Sequence, residues 1–153
     1  MKANGAIAPS LRGVNLDPAR GAPSGCKLRE RTARLRGASA SLRDAAVAWD
    51  ADPAFARARY GDISQWDVSA ATDLTYLFTG LGNVKDVDLN GWNVAGVSNF
   101  FGMFSSTSFN QALAWDTSKV TDMAYTFDNA KAFNSELAWD TSKVTPMRMM
   151  FFQ

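Results

Sequence analysis

The sequence predicts an α/β solenoid, with one short strand and one short helix in each coil of about 24 residues and a helical cap at the N-terminal end. Three observations predict it. Trp66, Trp92, Trp115 and Trp139 recur at separations of 26, 23 and 24 residues, and each opens a similar phrase. The nine residues Leu-Ala-Trp-Asp-Thr-Ser-Lys-Val-Thr at 113–121 return letter for letter at 137–145. A short amphipathic pattern precedes the array, where a repeat protein needs a terminal cap.

Residues 1–38 stand apart by charge. Residues 1–43 hold nine basic side chains against Asp17 and Glu30, whereas 44–153 hold seven basic and thirteen acidic ones, so the net charge of +1 joins a basic arm to an acidic body. The arm is rich in Arg, Ala, Gly, Ser and Pro and has no sustained period, so it is expected to be disordered. Its apolar stretch near residues 5–9 is too short for a secretory signal, while its Arg-rich, acid-poor character weakly resembles an organelle transit peptide.

Residues 39–61 form the expected cap. Leu42, Ala45, Ala46 and Trp49 fall at i, i+3, i+4 and i+7, one face of a helix, with Ser41 and Asp44 as a capping-box pair. Asp52-Pro53 restarts a helix as N-cap and first residue. Phe55, Ala58 and Tyr60 extend an apolar side, and Gly61 is a natural stop. Trp49 and Phe55 are both expected to pack on the first coil.

Residues 62–153 then supply about three and a half coils. Ile63, Leu89, Leu113 and Leu137 precede the tryptophans and give a β-prone stretch. Val97, Phe100 and Phe104 are spaced i, i+3 and i+7, as are Val120, Met123 and Phe127, and Val144, Met147 and Phe151. That stripe predicts a helix, with Ser118 or Thr121 as cap. Stacked coils would place equal strands in parallel, about 4.8 Å apart, so equal residues form ladders. The structural ladders are Trp66, Trp92, Trp115 and Trp139; Phe78, Phe104, Phe127 and Phe151; and Phe109 with Phe133. Large apolar residues recurring in this way fill a solenoid core rather than a ligand surface.

The phrase Trp115-Asp-Thr-Ser-Lys-Val-Thr-Asp-Met123, with Phe127 and Phe133-Asn134 after it, resembles the bacterial surface-protein repeat of BspA-like leucine-rich-repeat proteins, also present in mycoplasma lipoproteins and unicellular algae. The segment from Trp49 to Trp66 resembles the lead-in to such arrays in the algal members. The resemblance covers roughly residues 42–153 and implies a leucine-rich-repeat-like solenoid, surface display and adhesion. It implies no catalytic residue.

The chemistry available narrows the function. The chain has no histidine and one cysteine, Cys26, so the commonest general base and metal ligand are missing and no intrachain disulfide can form. There is no Gly-rich phosphate loop and no nucleophile set beside a base. Asp67, Asn93, Asp116 and Asp140, with Asp73, Asn99 and Asp122, offer too few carboxylates for a calcium coil and fit turn and cap hydrogen bonding instead. Lys119 and Lys143 fit a solvated ladder. The expectation is therefore a noncatalytic protein-interaction module, with surface adhesion as its setting; the alternative is a structural spacer within a longer repeat protein. No cofactor, nucleic-acid partner or membrane span is expected, and the protein partner is unknown. The array is expected to break in mid-repeat at Gln153, leaving Met149 to Phe152 open to end-to-end association.

Overall fold

The computed structural model describes residues 39–152, and the side chains from Leu42 onward. The expectations for residues 1–38 lie outside the described residues. Two helices lead the described residues: α1 (Ser39–Ala51) and α2 (Pro53–Tyr60). α1 buries the predicted face of Leu42, Ala45, Ala46 and Trp49. The capping-box expectation for Ser41 falls on a side chain outside the described ones. Asp52 caps α2 by accepting from the Ala54 and Phe55 N–H groups, Pro53 follows it, and Gly61 ends the helix at φ +83°. Within α2 the buried residue is Ala56, whereas Phe55 is exposed. The expectation that Phe55 packs inward is corrected: an eight-residue helix seated on its Ala56 side turns Phe55 to solvent.

A 3-10 turn, Ile63–Gln65, leads into the repeat. Four units follow, at 66–91, 92–114, 115–138 and 139–152. In place of a short strand and a short helix, each described unit is wound from turns. Among the described residues, main-chain pairing of strand type is limited to the isolated parallel bridges Asp73–Asn99 and Asn99–Asp122.

The dihedral angles give the reason. Tyr76, Gly102, Tyr125 and Met149, at the same place in the four units, have φ of 55°, 59°, 58° and 53°. Gly80, Ser106 and Asn129, four residues later, have φ of 73°, 56° and 52°. A left-handed residue every fourth position interrupts an α-helix although the apolar spacing resembles one. The hydrogen bonds divide accordingly. In unit 2 the N–H groups of Met103, Ser105 and Thr107 close turns onto Phe100, Gly102 and Phe104. The N–H groups between them, on Phe100, Gly102, Phe104 and Ser106, donate to the carbonyls of Asp122, Ala124, Thr126 and Asp128 in unit 3. Strain of about 1–2 kcal/mol at a left-handed non-glycine residue is thus offset at Tyr76, Ser106, Tyr125 and Asn129, whose N–H groups donate to the next unit.

The unit faces stack through their rings. Phe78–Phe104, Phe104–Phe127 and Phe127–Phe151 have centroids 5.4, 5.3 and 5.5 Å apart. Trp66–Trp92, Trp92–Trp115 and Trp115–Trp139 follow at 6.3, 6.4 and 6.1 Å. Trp49 of α1 closes the tryptophan column edge-on against Trp66 at 87°. Arg43 of α1 donates to the carbonyls of Leu77 and Thr79 in unit 1. Asp50 accepts from the Asn83 N–H, which ties the other end of α1 to the same unit.

Candidate functional site

Most residues of the predicted ladders are interior. Trp66, Trp92, Trp115, Phe78, Phe104, Phe127 and Phe109 are buried. Phe109 lies on Phe104, and Phe133 on Phe127 at 4.0 Å. Phe133 and Trp139 are half-buried, and Phe151 stacks on Phe127 but leaves its other face open.

Three of the ladder tryptophans also satisfy their indole N–H groups on an earlier coil, whereas Trp66 donates locally to the Gly61 carbonyl. Trp92, Trp115 and Trp139 donate to the carbonyls of Ile63, Leu89 and Leu113 at 2.8, 2.9 and 3.0 Å. These acceptors are the apolar residues that precede the tryptophan of the unit before. The stretch read as a strand is therefore held by a side-chain donor rather than by a main-chain ladder.

The acidic and amide positions hold backbone. Asp67, Asn93, Asp116 and Asp140 accept from the N–H two residues on, at Ser69, Ala95, Ser118 and Ser142. Asp73, Asn99 and Asp122 do the same for Thr75, Phe101 and Ala124. These are Asx turns. Hydrogen bonds from the Ser118 hydroxyl and N–H hold the Asp116 carboxyl below its usual range, and those from the Ser142 N–H and hydroxyl do so for Asp140. Among the described residues no three His, Cys, Asp or Glu side chains cluster as a metal site. Lys143 reaches the Ser118 carbonyl at 2.9 Å, and Lys119 is exposed.

A second aromatic row lies on the outside, and periodicity did not reveal it. Tyr76 meets Phe101 edge-on at 5.2 Å, Phe101 meets Tyr125 at 5.3 Å, and the Arg148 guanidinium lies over the Tyr125 ring at 5.8 Å. Tyr76 is 47% exposed, Phe101 and Tyr125 are half-buried, and Arg148 is exposed. The row zigzags between adjacent positions of the repeat. One position carries Tyr76, Gly102, Tyr125 and Met149; the one before it carries Thr75, Phe101, Ala124 and Arg148. Gly102 makes the zigzag fit, because a Cβ there would collide with the Tyr76 ring. The signal was present in the sequence only as a pair of adjacent positions with alternating large and small residues.

The strip offers apolar ring faces, phenol hydroxyls and one cation over a ring. That combination suits desolvating contact with another chain.

The model of a family described as a Mycoplasma protein of unknown function, DUF285, matches residues 56–114. The match runs from the buried Ala56 of α2 through units 1 and 2, so this part of the chain is similar to a mycoplasma protein family. No curated protein and no solved structure matches the chain. Among the described residues no helix is long and apolar enough to cross a membrane.

Proposed function

We propose that the chain is a noncatalytic protein-interaction module, a leucine-rich-repeat-like solenoid of the BspA-like surface kind, whose contact face is the strip Tyr76–Phe101–Tyr125–Arg148. One observation carries this reading. The other aromatic rows are consumed by the core, while this one sets Tyr76, Phe101, Tyr125 and Arg148 in contact along the surface of successive units. Aromatic and arginine side chains dominate the energetics of protein contacts. The similarity of residues 56–114 to a mycoplasma family supports the repeat-protein part of the reading. Surface adhesion is the setting that the resemblance implies, and the partner is a protein.

The test is crosslinked capture by the intact chain beside a variant with Tyr76→Ser, Phe101→Ser and Tyr125→Ser, both verified as folded by urea titration. The reading expects a defined partner on the intact chain whose yield falls about tenfold or more on the variant, as loss of roughly 1.4 kcal/mol or more requires. Equal capture by both, or capture by neither, contradicts it and favours the spacer.

A further inference from the structure

The surface strip has a period. Tyr76 and Tyr125 occupy the same position two coils apart, and Phe101 fills the interval at 5.2 and 5.3 Å from the two rings. The coils are bridged in parallel through Asp73, Asn99 and Asp122. Chains bridged in this way lie about 4.8 Å apart, which sets the two tyrosines about 10 Å apart. A polyproline II helix turns once in three residues of about 3.1 Å each, or about 9.3 Å. Residues i and i+3 of such a segment therefore fall on Tyr76 and Tyr125, and those between them pass over Phe101.

A strand and a helix fit the strip less well. The N–H groups of Tyr76, Gly102 and Tyr125 donate to carbonyls of the next unit, and those of Thr75, Phe101 and Ala124 to Asx side chains. An added strand would meet side chains here rather than a main-chain edge. A helix is about 10 Å across and lays its apolar stripe into a groove. The strip is one ring wide, because the residues beside it, such as Phe100 and Met103 in unit 2 and Met123 and Thr126 in unit 3, turn into the core. A polyproline II segment is a single extended chain. Its proline rings stack on aromatic faces, and its carbonyls, which make no internal hydrogen bond, accept from phenol hydroxyls. Charge adds one further feature. Beyond Tyr125 along the row, the Arg148 guanidinium lies 5.8 Å from the ring centroid. A carboxylate about two residues past the second proline, roughly 6 Å on, reaches it. We propose that the strip docks a proline-rich segment of another protein in the polyproline II form, with prolines three residues apart on Tyr76 and Tyr125 and a carboxylate facing Arg148. This names the partner of the contact face described above and rests on that reading.

The probes are three synthetic peptides titrated into the full chain. One has three prolines at every third position and a glutamate two residues after the last. The second has the same composition with its prolines at every second position. The third is the first with lysine in place of glutamate. NMR shifts of the Tyr76, Phe101 and Tyr125 rings read the site. The period-three peptide should move these signals saturably, with Kd below about 1 mM. The period-two peptide should bind about tenfold more weakly. The lysine peptide should bind about threefold more weakly at low salt, and the gap should close as salt screens the pair. Tyr76→Phe with Tyr125→Phe keeps the rings and should weaken binding about tenfold through the lost phenol donors. Tyr76→Ser with Tyr125→Ser, verified as folded by urea titration, should abolish it. Absence of binding, equal binding of the period-two or the lysine peptide, or shifts confined to other residues overturns the proposal. Cellohexaose, titrated in the same way, covers a stacked sugar chain as occupant, and shifts with it but none with the peptides also overturn the proposal. Where the peptides fail but captured partner still depends on Tyr76, Phe101 and Tyr125, the strip remains a protein-contact face and only the polyproline II ligand is lost. Where capture and peptides both fail, both readings fall.

Discussion

The Arg43 guanidinium donates to the Leu77 carbonyl at 2.7 Å and to the Thr79 carbonyl at 2.9 Å. In the interior the equivalent carbonyls, Met103 and Ser105, accept from the preceding unit. Arg43 therefore stands in for a unit that α1 replaces. Burial pushes its pKa down, and the Asp50 carboxylate works in the opposite direction. Replacing it by Met keeps much of the stem and leaves both carbonyls without this donor. The expected loss is about 2 kcal/mol, in the range for hydrogen bonds to charged groups. Lys should recover part of that, because an ammonium is not a planar fork. Urea unfolding of R43M and R43K measures both, and an unchanged midpoint in R43M contradicts the capping role.

The indole N–H bonds give a second prediction. Trp92→Phe keeps a ring in the column but removes the donor to Ile63. Because Trp92 is buried, the unpartnered carbonyl and the lost ring volume together should destabilise the chain by about 2–3 kcal/mol. Trp139 makes the equivalent bond to Leu113 but is half-buried. Trp139→Phe should therefore cost clearly less, about 1 kcal/mol. Equal losses at the two sites would show that packing, not burial of the bond, sets the effect.

Gly102 and Tyr76 should be coupled. Gly102 has φ +59° and lies under the Tyr76 ring. Gly102→Ala adds left-handed strain of about 1–2 kcal/mol and a collision with the ring. Adding Tyr76→Ser removes the collision and leaves the strain. The double variant should then be more stable than the sum of the single effects by at least about 0.5 kcal/mol, the scale of coupling between residues in contact. Additivity in chemical denaturation would contradict the zigzag.

The acid limb of stability should rest on Asx turns. Asp116 and Asp140 are held below their usual range by the Ser118 and Ser142 hydrogen bonds. For Asp62, burial works upward but is outweighed by the Ser64 hydroxyl and N–H and by Arg57, so its pKa is lowered as well. A folded carboxyl with a lowered pKa contributes stability that is present above the unfolded value, about 3.9, and lost as pH falls through the folded one. With no histidine in the chain, the urea midpoint should be nearly flat from about pH 5 to 8 and fall below about pH 4. Asn93 already forms the same turn without a charge. Asp116→Asn with Asp140→Asn should therefore keep the neutral-pH midpoint and flatten the acid limb. A collapse at neutral pH would contradict this.

The sequence made the recurring positions legible because identical neighbours across units leave identical letters. The tryptophan and phenylalanine positions were readable for that reason, the buried face of α1 for its i, i+3, i+4, i+7 spacing, and the Asp52 cap for the Asp-Pro pair. The winding within a unit was not, because Val97, Phe100 and Phe104 have helical spacing while positive φ at Gly102 and Ser106 interrupts a helix. Tyr and Met occupy the left-handed position in other units, so glycine does not mark it. The surface strip escaped because it alternates between two positions, and a search down one position meets Gly102 or Ala124. Arg43 escaped because an arginine on a cap helix looks like a solvated charge until the carbonyls it reaches are known.

Successive units stack with their tryptophans in one column, and Trp92, Trp115 and Trp139 are tied to the residues that precede the tryptophan before them in that column. Indole hydrogen exchange with proton–proton NOEs tests it most directly. The structure predicts slow indole N–H exchange for Trp92 and Trp115, faster exchange for half-buried Trp139, and ring NOEs linking Trp66 to Trp92, Trp92 to Trp115, and Trp115 to Trp139. Uniformly fast indole exchange without those NOEs would contradict the stacked array.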